Sequence, residues 1–174
     1  MKVAYRQAQL YTFLLFCNRS ELPREVMDCG AGGDCPPLGI FAEHGYRTWG
    51  VDCDLSQLER AKAFSSQENL DLNIVEGDII KLPYADNSIS HAFSYNTIFH
   101  LSKVNIARVI GEIKRVMRPE GLLFVNFMSV DDATYGKGEQ VGDGEFMQQE
   151  GDGQVLHCYH GLDEPEGYFS GFTV

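Results

Sequence analysis

The chain has 174 residues, of which 44% are hydrophobic, and a formal net charge of −11 at pH 7. This length and apolar content predict one globular domain, residues 1–174, with a core of its own. The negative charge argues against a nucleic-acid partner, which needs basic patches, and no apolar run reaches the roughly 18 residues of a membrane span.

The charge is concentrated at the end of the chain. Residues 129–174 contain ten acidic residues, a single basic residue, Lys137, and nine of the 18 glycines. This composition predicts a solvated, loop-rich tail. The five cysteines are scattered without a C-x-x-C pair. We therefore expect reduced thiols, a cytoplasmic location and no metal site.

The first apolar run covers residues 10–17 and follows two basic residues, Lys2 and Arg6. It has some likeness to a signal peptide, but no small-residue cleavage site follows it. The pattern favours a packed N-terminal helix.

A short apolar run at residues 25–29 ends at three closely spaced glycines, Gly30, Gly32 and Gly33, and a helical pattern begins at residue 38. We predict a buried strand, a tight turn and a helix in that order. In such a turn the backbone N–H groups can approach a ligand directly.

Two details of this turn give more specific predictions. We expect Asp34 to be the N-cap of the helix and Pro36 to lie in its first turn. A dinucleotide fingerprint needs a third glycine where Cys35 stands, which counts against the alternative of an NAD-dependent oxidoreductase.

The next stretch predicts two strands and a helix. Gly45 ends the preceding helix, and residues 46–52 form a strand that ends on Asp52. This acid lies about 20 residues beyond the glycine turn, where nucleotide-binding folds hold a ribose. Asp54 resembles the start of a capping box. The helix after it has apolar positions at Leu55, Leu58, Ala61 and Phe64.

Residues 72–75 form a third predicted strand, and Asp78 follows it. Residues 82–88 are rich in turn formers, and residues 89–95 form a fourth strand.

The clearest helix of the chain is predicted from a cap at Ser102 to a stop at Pro119. Its apolar residues recur with helical spacing at Ile106, Val109, Ile110, Ile113, Val116 and Met117. A nearly continuous apolar run at residues 122–127 then predicts a fifth strand. This alternation predicts an α/β fold with a doubly wound, mostly parallel sheet that binds ligands at the carboxyl ends of its strands.

The tail differs from this pattern. Residues 145–148 and 155–159 flank a glycine-rich turn and predict a β-hairpin. Residues 163–169 predict one short helix, weakened by Pro165 and Gly167.

Three acids, Asp28, Asp52 and Asp78, end successive strands or their turns. In a parallel sheet these ends lie at one edge, so the carboxylates face a common ligand. Carboxylates accept hydrogen bonds and repel phosphate. They suit a ligand with a ribose, an aromatic amine and a positive charge, such as S-adenosylmethionine.

The sequence resembles the class I S-adenosylmethionine-dependent methyltransferases, in particular the small-molecule branch with a methyltransferase-11-like domain. The matching stretches are VMDCGAGG at 26–33, GVD at 50–52, EGD at 76–78, LPY and DNS within 82–88, and IKRVMRPEGL at 113–122. The resemblance covers residues 20–130, the cofactor-binding core, and leaves residues 131–174 as an acidic, glycine-rich tail or lid.

The resemblance implies methyl transfer from S-adenosylmethionine to a small-molecule acceptor. Gly30, Ala31 and Gly32 would approach the methionine part of the cofactor and Asp28 its ammonium. Asp52 would hold the ribose, and Cys53, Asp78 and Ile79 the adenine. Ser94 and Tyr95 would face the sulfonium. Acceptor contacts are expected from Tyr95, Asn96, His100 and His157.

Two histidines have more than one interpretation. His100 is a candidate general base, or a structural histidine with a satisfied ring. His157 alternates with Tyr159 on one face of the predicted hairpin, and it could contact the acceptor from a lid or belong to a partly exposed cross-strand pair.

The family adds two more strands after its fifth helix, and only residues 169–174 remain for them here. Either the sequence is truncated, or the edge of the sheet at the fifth strand is covered in another way, such as by the partner subunit of a homodimer. The missing strands also leave open a non-catalytic S-adenosylmethionine or nucleoside binder, or a fragment that needs a partner.

Overall fold

The computed structural model describes residues 7–174; Lys2 and Arg6 lie outside this range. Five parallel strands form the central sheet, in the order β3-β2-β1-β4-β5. They are β1 (Glu25–Cys29), β2 (Arg47–Asp52), β3 (Ile74–Glu76), β4 (Ile89–Ser94) and β5 (Met117–Val125). The order reverses between β1 and β4, and such a switch point opens a crevice at the carboxyl ends of the strands.

Helices cover both faces of this sheet, so the predicted doubly wound α/β fold is confirmed. They are α1 (Ala8–Cys17), α2 (Leu38–Glu43), α3 (Leu55–Glu68) and α4 (Lys103–Val116). Neighbouring strand residues point to opposite faces. Val26 accordingly packs with α1 and α2 in one buried cluster, and Met27 with α4 in the other.

The predicted helix caps at Ser102 and Asp54 are confirmed. The Ser102 hydroxyl accepts a hydrogen bond from the Asn105 N–H at 3.4 Å, and the Asp54 carboxylate accepts from the N–H groups of Ser56 and Gln57. The apolar stripe of α4 is buried from Ile106 to Met117, as predicted. The apolar run at residues 10–17 is a packed helix, since four of its side chains are buried.

The prediction for Asp34 is wrong. Helix α2 begins at Leu38, and no side chain caps it. A cap at Asp34 would have to accept from the N–H groups two and three residues later, and both positions are prolines, which have none. Asp34 is exposed instead and lies 3.8 Å from Arg60.

Other differences are smaller. Leu55, predicted to be an apolar position of α3, is 60% exposed because it is the first residue of the helix. The third strand is shifted toward the chain end, to Ile74–Glu76, and β5 begins at Met117 rather than at residue 122.

A second sheet follows β5, with the order β6-β9-β8-β7. Its strands are β6 (Met128–Ser129), β7 (Glu139–Gly142), β8 (Glu145–Glu150) and β9 (Gly153–His160). The hairpin of β8 and β9 confirms the predicted hairpin, whereas β6 and β7 were not predicted. A 3-10 helix, Glu164–Phe169, occupies the place of the predicted short helix.

The second sheet is anchored to the start of α4, one of the helices that cover the central sheet. The Glu145 carboxylate accepts a hydrogen bond from the Lys103 backbone N–H at 2.7 Å. The Lys103 ammonium also contacts Asp143, at 3.4 Å, and Glu164. Strand β9 packs on a 3-10 turn, Ile98–His100, that follows β4.

Strand β5 is an edge strand, because no strand among residues 7–174 pairs with its outer side. Its residues 121–125 are all partly exposed. A cavity of about 650 Å³ lies on one face, between β5 and residues 169–174, and another of about 400 Å³ lies on the other face beside α1. No helix in the described part of the chain is long and apolar enough to span a bilayer.

Candidate functional site

The glycine turn after β1 is fastened to β2. The N–H groups of Gly30 and Ala31 donate to the Val51 carbonyl at 2.8 and 3.1 Å. Gly30 has a φ of +98°, which favours glycine, and a Cβ atom there would overlap the Thr97 side chain. A Cβ atom at Gly32 would lie only 2.7 Å from the Asp52 carboxylate. The two glycines therefore keep the turn free of side chains.

Asp52, at the end of β2, is bound to this turn. Its Oδ2 atom accepts from the Gly32 N–H at 2.8 Å, and its Oδ1 atom accepts from the Asp54 N–H at 2.9 Å. The side chain is partly exposed. Each carboxylate oxygen can accept a further hydrogen bond, so Asp52 can also receive hydroxyl groups from a ligand.

Asp28 is the most unusual group of the site. Its side chain is 1% exposed, and neither of its carboxylate oxygens has a hydrogen-bond partner in the described part of the chain. Burial, and secondarily the negative charge of Asp52, raise the pKa of Asp28 well above its ordinary value. A buried carboxyl group without partners is costly unless a ligand or water supplies them.

The residues expected around an adenine lie at the ends of β2 and β3. Cys53 is exposed, and its pKa is raised by partial burial and by the charges of Asp52 and Asp78. Asp78 is exposed, and its Oδ1 atom accepts a hydrogen bond from the Ile80 N–H at 2.9 Å. The Ile79 side chain, between these two residues in sequence, is buried. These contacts put Asp52, Cys53 and Asp78 at one edge of the sheet.

Ser94 ends β4 and Tyr95 follows it, and both side chains contact other parts of the protein. Ser94 is fully buried, and its hydroxyl donates to the Cys29 carbonyl at 2.9 Å, which ties β4 to β1. The Tyr95 ring stacks on Phe124, with 6.4 Å between centroids, and packs with the α1 side of the core. In these positions both side chains make structural contacts.

Two further groups, which the sequence did not predict, lie after β4 and β5. Thr97 packs against Gly30. Asn126 accepts from the Asn96 backbone N–H at 2.8 Å and donates from its side chain to Asn96 Oδ1 at 2.7 Å. Asn96 has a φ of +57°, which this pair of bonds holds in place. No sequence pattern marks Asn126, since it follows an apolar strand as an ordinary polar residue.

His100 and His157, which are 57 residues apart in sequence, meet between this loop and the second sheet, with 4.9 Å between ring centroids. His100 Nδ1 lies 3.2 Å from the Leu156 carbonyl. Burial lowers the pKa of His100, and the nearby His157 lowers it further. His157 is 7% exposed and Tyr159 is fully buried, so the partly exposed cross-strand pair is a wrong prediction.

Together these features define a class of protein: a doubly wound sheet with a glycine turn after β1 and an acid at the end of β2, which is a nucleoside-binding arrangement. The comparison with known families agrees. The family model Methyltransf_11, a methyltransferase domain, matches residues 27–125. The chain belongs to this family of class I S-adenosylmethionine-dependent methyltransferases, as its resemblance predicts.

Two curated relatives are informative. A 24-methylenesterol C-methyltransferase 3 of Arabidopsis thaliana is 32% identical over 114 residues, which cover 64% of this chain and 31% of the relative. A glycine/sarcosine/dimethylglycine N-methyltransferase of Actinopolyspora halophila is 32% identical over 116 residues, which cover 62% of this chain and 19% of the relative. The chain thus spans less than a third of either.

A solved structure supports the fold. A S-adenosylmethionine-dependent methyltransferase of Methanosarcina mazei superimposes with a TM-score of 0.77 at 17% identity, covering 90% of this chain and 82% of that one.

The site fits the cofactor of this family. The unpartnered Asp28 carboxyl can accept from an ammonium, the glycine turn leaves room against the backbone, and the partly exposed Asp52 can accept from two hydroxyls. None of these groups would favour a pyrophosphate, because the carboxylates would repel it.

Proposed function

We propose that this protein binds S-adenosylmethionine at the glycine turn and transfers its methyl group to a small-molecule acceptor. The observation that carries the proposal is the buried Asp28 carboxyl, which has no hydrogen-bond partner among residues 7–174 and lies two residues before Gly30. A cationic ligand at this point would remove the cost of burying it.

The glycine turn and the two acids beside it would bind different parts of the cofactor. Gly30, Ala31 and Gly32 would approach the methionine part, with Asp28 at its ammonium. Asp52 would accept from both ribose hydroxyls while keeping its bond to the Gly32 N–H.

The adenine would lie against Cys53, with Asp78 accepting from its amine and the Ile79 N–H donating to a ring nitrogen. The bound cofactor supplies an activated methyl group, so the main task of the protein is to align the acceptor with it and exclude water.

We place the acceptor between the loop after β4 and the second sheet. Asn96, His100 and His157 would line this space, and the sheet of β6–β9 would act as its lid. Tyr95 and Ser94 would support the loop from beneath rather than touch the acceptor. The two relatives are named for sterol and glycine methylation, which supports a small molecule and leaves its identity to experiment.

The proposal extends to assembly and location. The unpaired edge of β5, with a cavity on each face, supports a homodimer in which two β5 strands meet. Five free cysteines support the reducing cytoplasm. Native mass spectrometry would test the first point: a dimer is expected, and a strict monomer at micromolar concentration contradicts it.

Isothermal calorimetry with S-adenosylmethionine and with its demethylated product tests the central proposal. The Asp52→Ala variant should bind the cofactor about 1–3 kcal/mol more weakly, because ribose hydroxyls lose their acceptor. Asp34→Ala is the matched control, since this exposed acid lies on the same loop and is not part of the site. Equal dissociation constants for Asp52→Ala and the parent protein would rule out the ribose role.

Turnover distinguishes the enzyme from a non-catalytic binder. Binding of both ligands without methylation of any member of a broad acceptor panel would favour the binder. Tight binding of NADH, followed by its fluorescence, with no binding of S-adenosylmethionine would instead favour the oxidoreductase.

A further inference from the structure

We propose that His100 accepts the proton of a weakly acidic hydroxyl acceptor, with the Leu156 carbonyl orienting its ring for this role. The inference rests on the proposed methyl transfer and adds to it both a proton acceptor and a class of acceptor: a phenol-like hydroxyl compound.

The first step of the argument is the tautomer of His100. Its Nδ1 atom lies 3.2 Å from the Leu156 carbonyl oxygen, which can only accept a hydrogen bond. Nδ1 therefore carries the proton, and the lone pair of the neutral ring is on Nε2. No hydrogen bond occupies Nε2 within residues 7–174, and the ring is partly exposed. Nε2 is thus free to bind a ligand.

The second step excludes His157 as the base. The Gln148 amide nitrogen faces the carbonyl oxygens of Thr134 and Lys137, at 2.9 and 3.1 Å, so its oxygen must point the other way. That oxygen lies 2.6 Å from His157 Nδ1, and Glu150 lies 2.9 Å from His157 Nε2. Both ring nitrogens of His157 face acceptors, and neither offers a lone pair to a substrate.

The third step is the position of His100 relative to the cofactor turn. Thr97 packs against Gly30, and one 3-10 turn, closed by the His100 N–H donating to the Thr97 carbonyl at 3.0 Å, leads from Thr97 to His100. At about 2 Å of rise per residue, this places the two residues roughly 6 Å apart along the turn. His100 thus lies one 3-10 turn along the chain from the residue that packs against the glycine turn.

The chemical step balances without a further reactant. The hydroxyl oxygen of the acceptor forms a bond to the methyl carbon as the carbon–sulfur bond of the sulfonium breaks, and the electron pair of that bond remains on sulfur. The hydroxyl proton moves to His100 Nε2 and leaves to solvent afterwards.

The surroundings of His100 select the class of acceptor. The pKa of His100 is lowered by burial and by His157, so the ring is neutral near pH 7 and is a weak base. A weak base matches an acidic hydroxyl such as a phenol better than an alkyl alcohol. The charged and titratable groups that face the ring are His157 and Glu150, both from the second sheet.

Nitrogen-15 NMR of the histidine side chains tests the tautomer without any turnover. The His100 signals, identified by their loss in His100→Gln, should show a protonated Nδ1 and an unprotonated Nε2 near neutral pH. Adding phenol with the demethylated cofactor should shift the Nε2 signal. A protonated Nε2 in the free protein, or an Nε2 signal that phenol leaves unchanged at millimolar concentration, would overturn the proposal.

Kinetics with unsubstituted phenol as acceptor, which keeps its hydroxyl proton near neutral pH, supply the second readout. His100→Gln should lower kcat by at least about 100-fold, with an unchanged dissociation constant for S-adenosylmethionine and no acidic limb in the pH–rate profile. The control is His44→Gln, because His44 Nδ1 also bonds a backbone carbonyl, that of Ile40 at 2.7 Å, and His44 follows α2, outside the proposed acceptor site. An unchanged kcat or pH profile in His100→Gln would refute the role, as would an equal loss in His44→Gln.

Two further outcomes separate the inference from the proposed function. If the parent protein fails to bind S-adenosylmethionine, the proposed function fails, while the tautomer measurement still stands. If His157→Gln loses activity and His100→Gln does not, the base has been assigned to the wrong ring.

Discussion

Replacing Asp28 by Asn should make the protein more stable and less able to bind its cofactor. The Asp28 side chain is 1% exposed, and neither oxygen has a partner. Asparagine has nearly the same shape but cannot ionise, so the substitution removes the charge and keeps the volume.

The sign of the effect follows from the raised pKa of Asp28. In the folded protein the carboxyl holds its proton at pH values where the unfolded chain, with a pKa near 3.8, has lost it. The folded state therefore binds more protons, and the stability of the parent protein falls as the pH rises through this window. The Asn variant lacks this fall. We expect similar stabilities near pH 4 and an advantage of about 1–3 kcal/mol for Asp28→Asn near pH 8.

Cofactor binding should change in the opposite direction. A charge-assisted hydrogen bond to the ammonium contributes about 1.5–3 kcal/mol, so the dissociation constant should rise roughly 10- to 100-fold. Urea titrations at both pH values and calorimetry with S-adenosylmethionine measure the two effects. Asp34→Asn, on the exposed side of the same loop, is the control. A pH-independent stability difference, or an unchanged dissociation constant, would refute the reasoning.

Two further variants test the packing around the site. Gly32→Ala should weaken cofactor binding by at least about tenfold, because the added Cβ atom would overlap Gln57. The control is Gly111→Ala, where the added Cβ atom meets open space on α4. This variant should bind the cofactor normally and gain about 0.5–1 kcal/mol of stability. His91 is fully buried, and its pKa is lowered to about 4, so the folded state loses stability as the pH falls from about 6.5 to about 4. The loss should approach roughly 3 kcal/mol in the parent protein and be absent in His91→Leu, as measured by urea unfolding at pH 7 and pH 4; equal pH dependence in the two proteins would contradict this.

Much of the fold could be predicted because its signals are local. Short stretches of sequence predict the apolar stripe of α4 and its cap at Ser102. They also predict the alternation of strands and helices. The β8–β9 hairpin was found because its strands flank a glycine turn, Gly151-Asp152.

The missed features depend on contacts distant in sequence or on backbone chemistry. Strand β6 has two residues and pairs with β9, more than 30 residues away, so no local pattern marks it. Helix α4 ends at Val116, before Pro119, as predicted. Pro119 itself lies inside β5, which tolerates a proline because it is an edge strand.

The acids and glycines of the candidate site could be predicted from the sequence. The contacts of the loop after β4 could not. Asp52 and Gly32, 20 residues apart, do meet in one hydrogen bond. The meeting of His100 with His157 depends on how the second sheet packs, and the buried hydroxyl of Ser94 depends on the spacing of β1 and β4. Neither distance is encoded in a motif.

The paired amides of Asn96 and Asn126 have a mechanical consequence. They fasten the loop that carries Thr97 and His100 to the end of β5, whose outer side is unpaired. A strand added to the outer side of β5 would stiffen the end of β5, to which this loop is hydrogen-bonded. If two β5 strands pair as proposed, assembly at this rim of the sheet and the alignment of the proposed acceptor would be coupled through these two asparagine side chains.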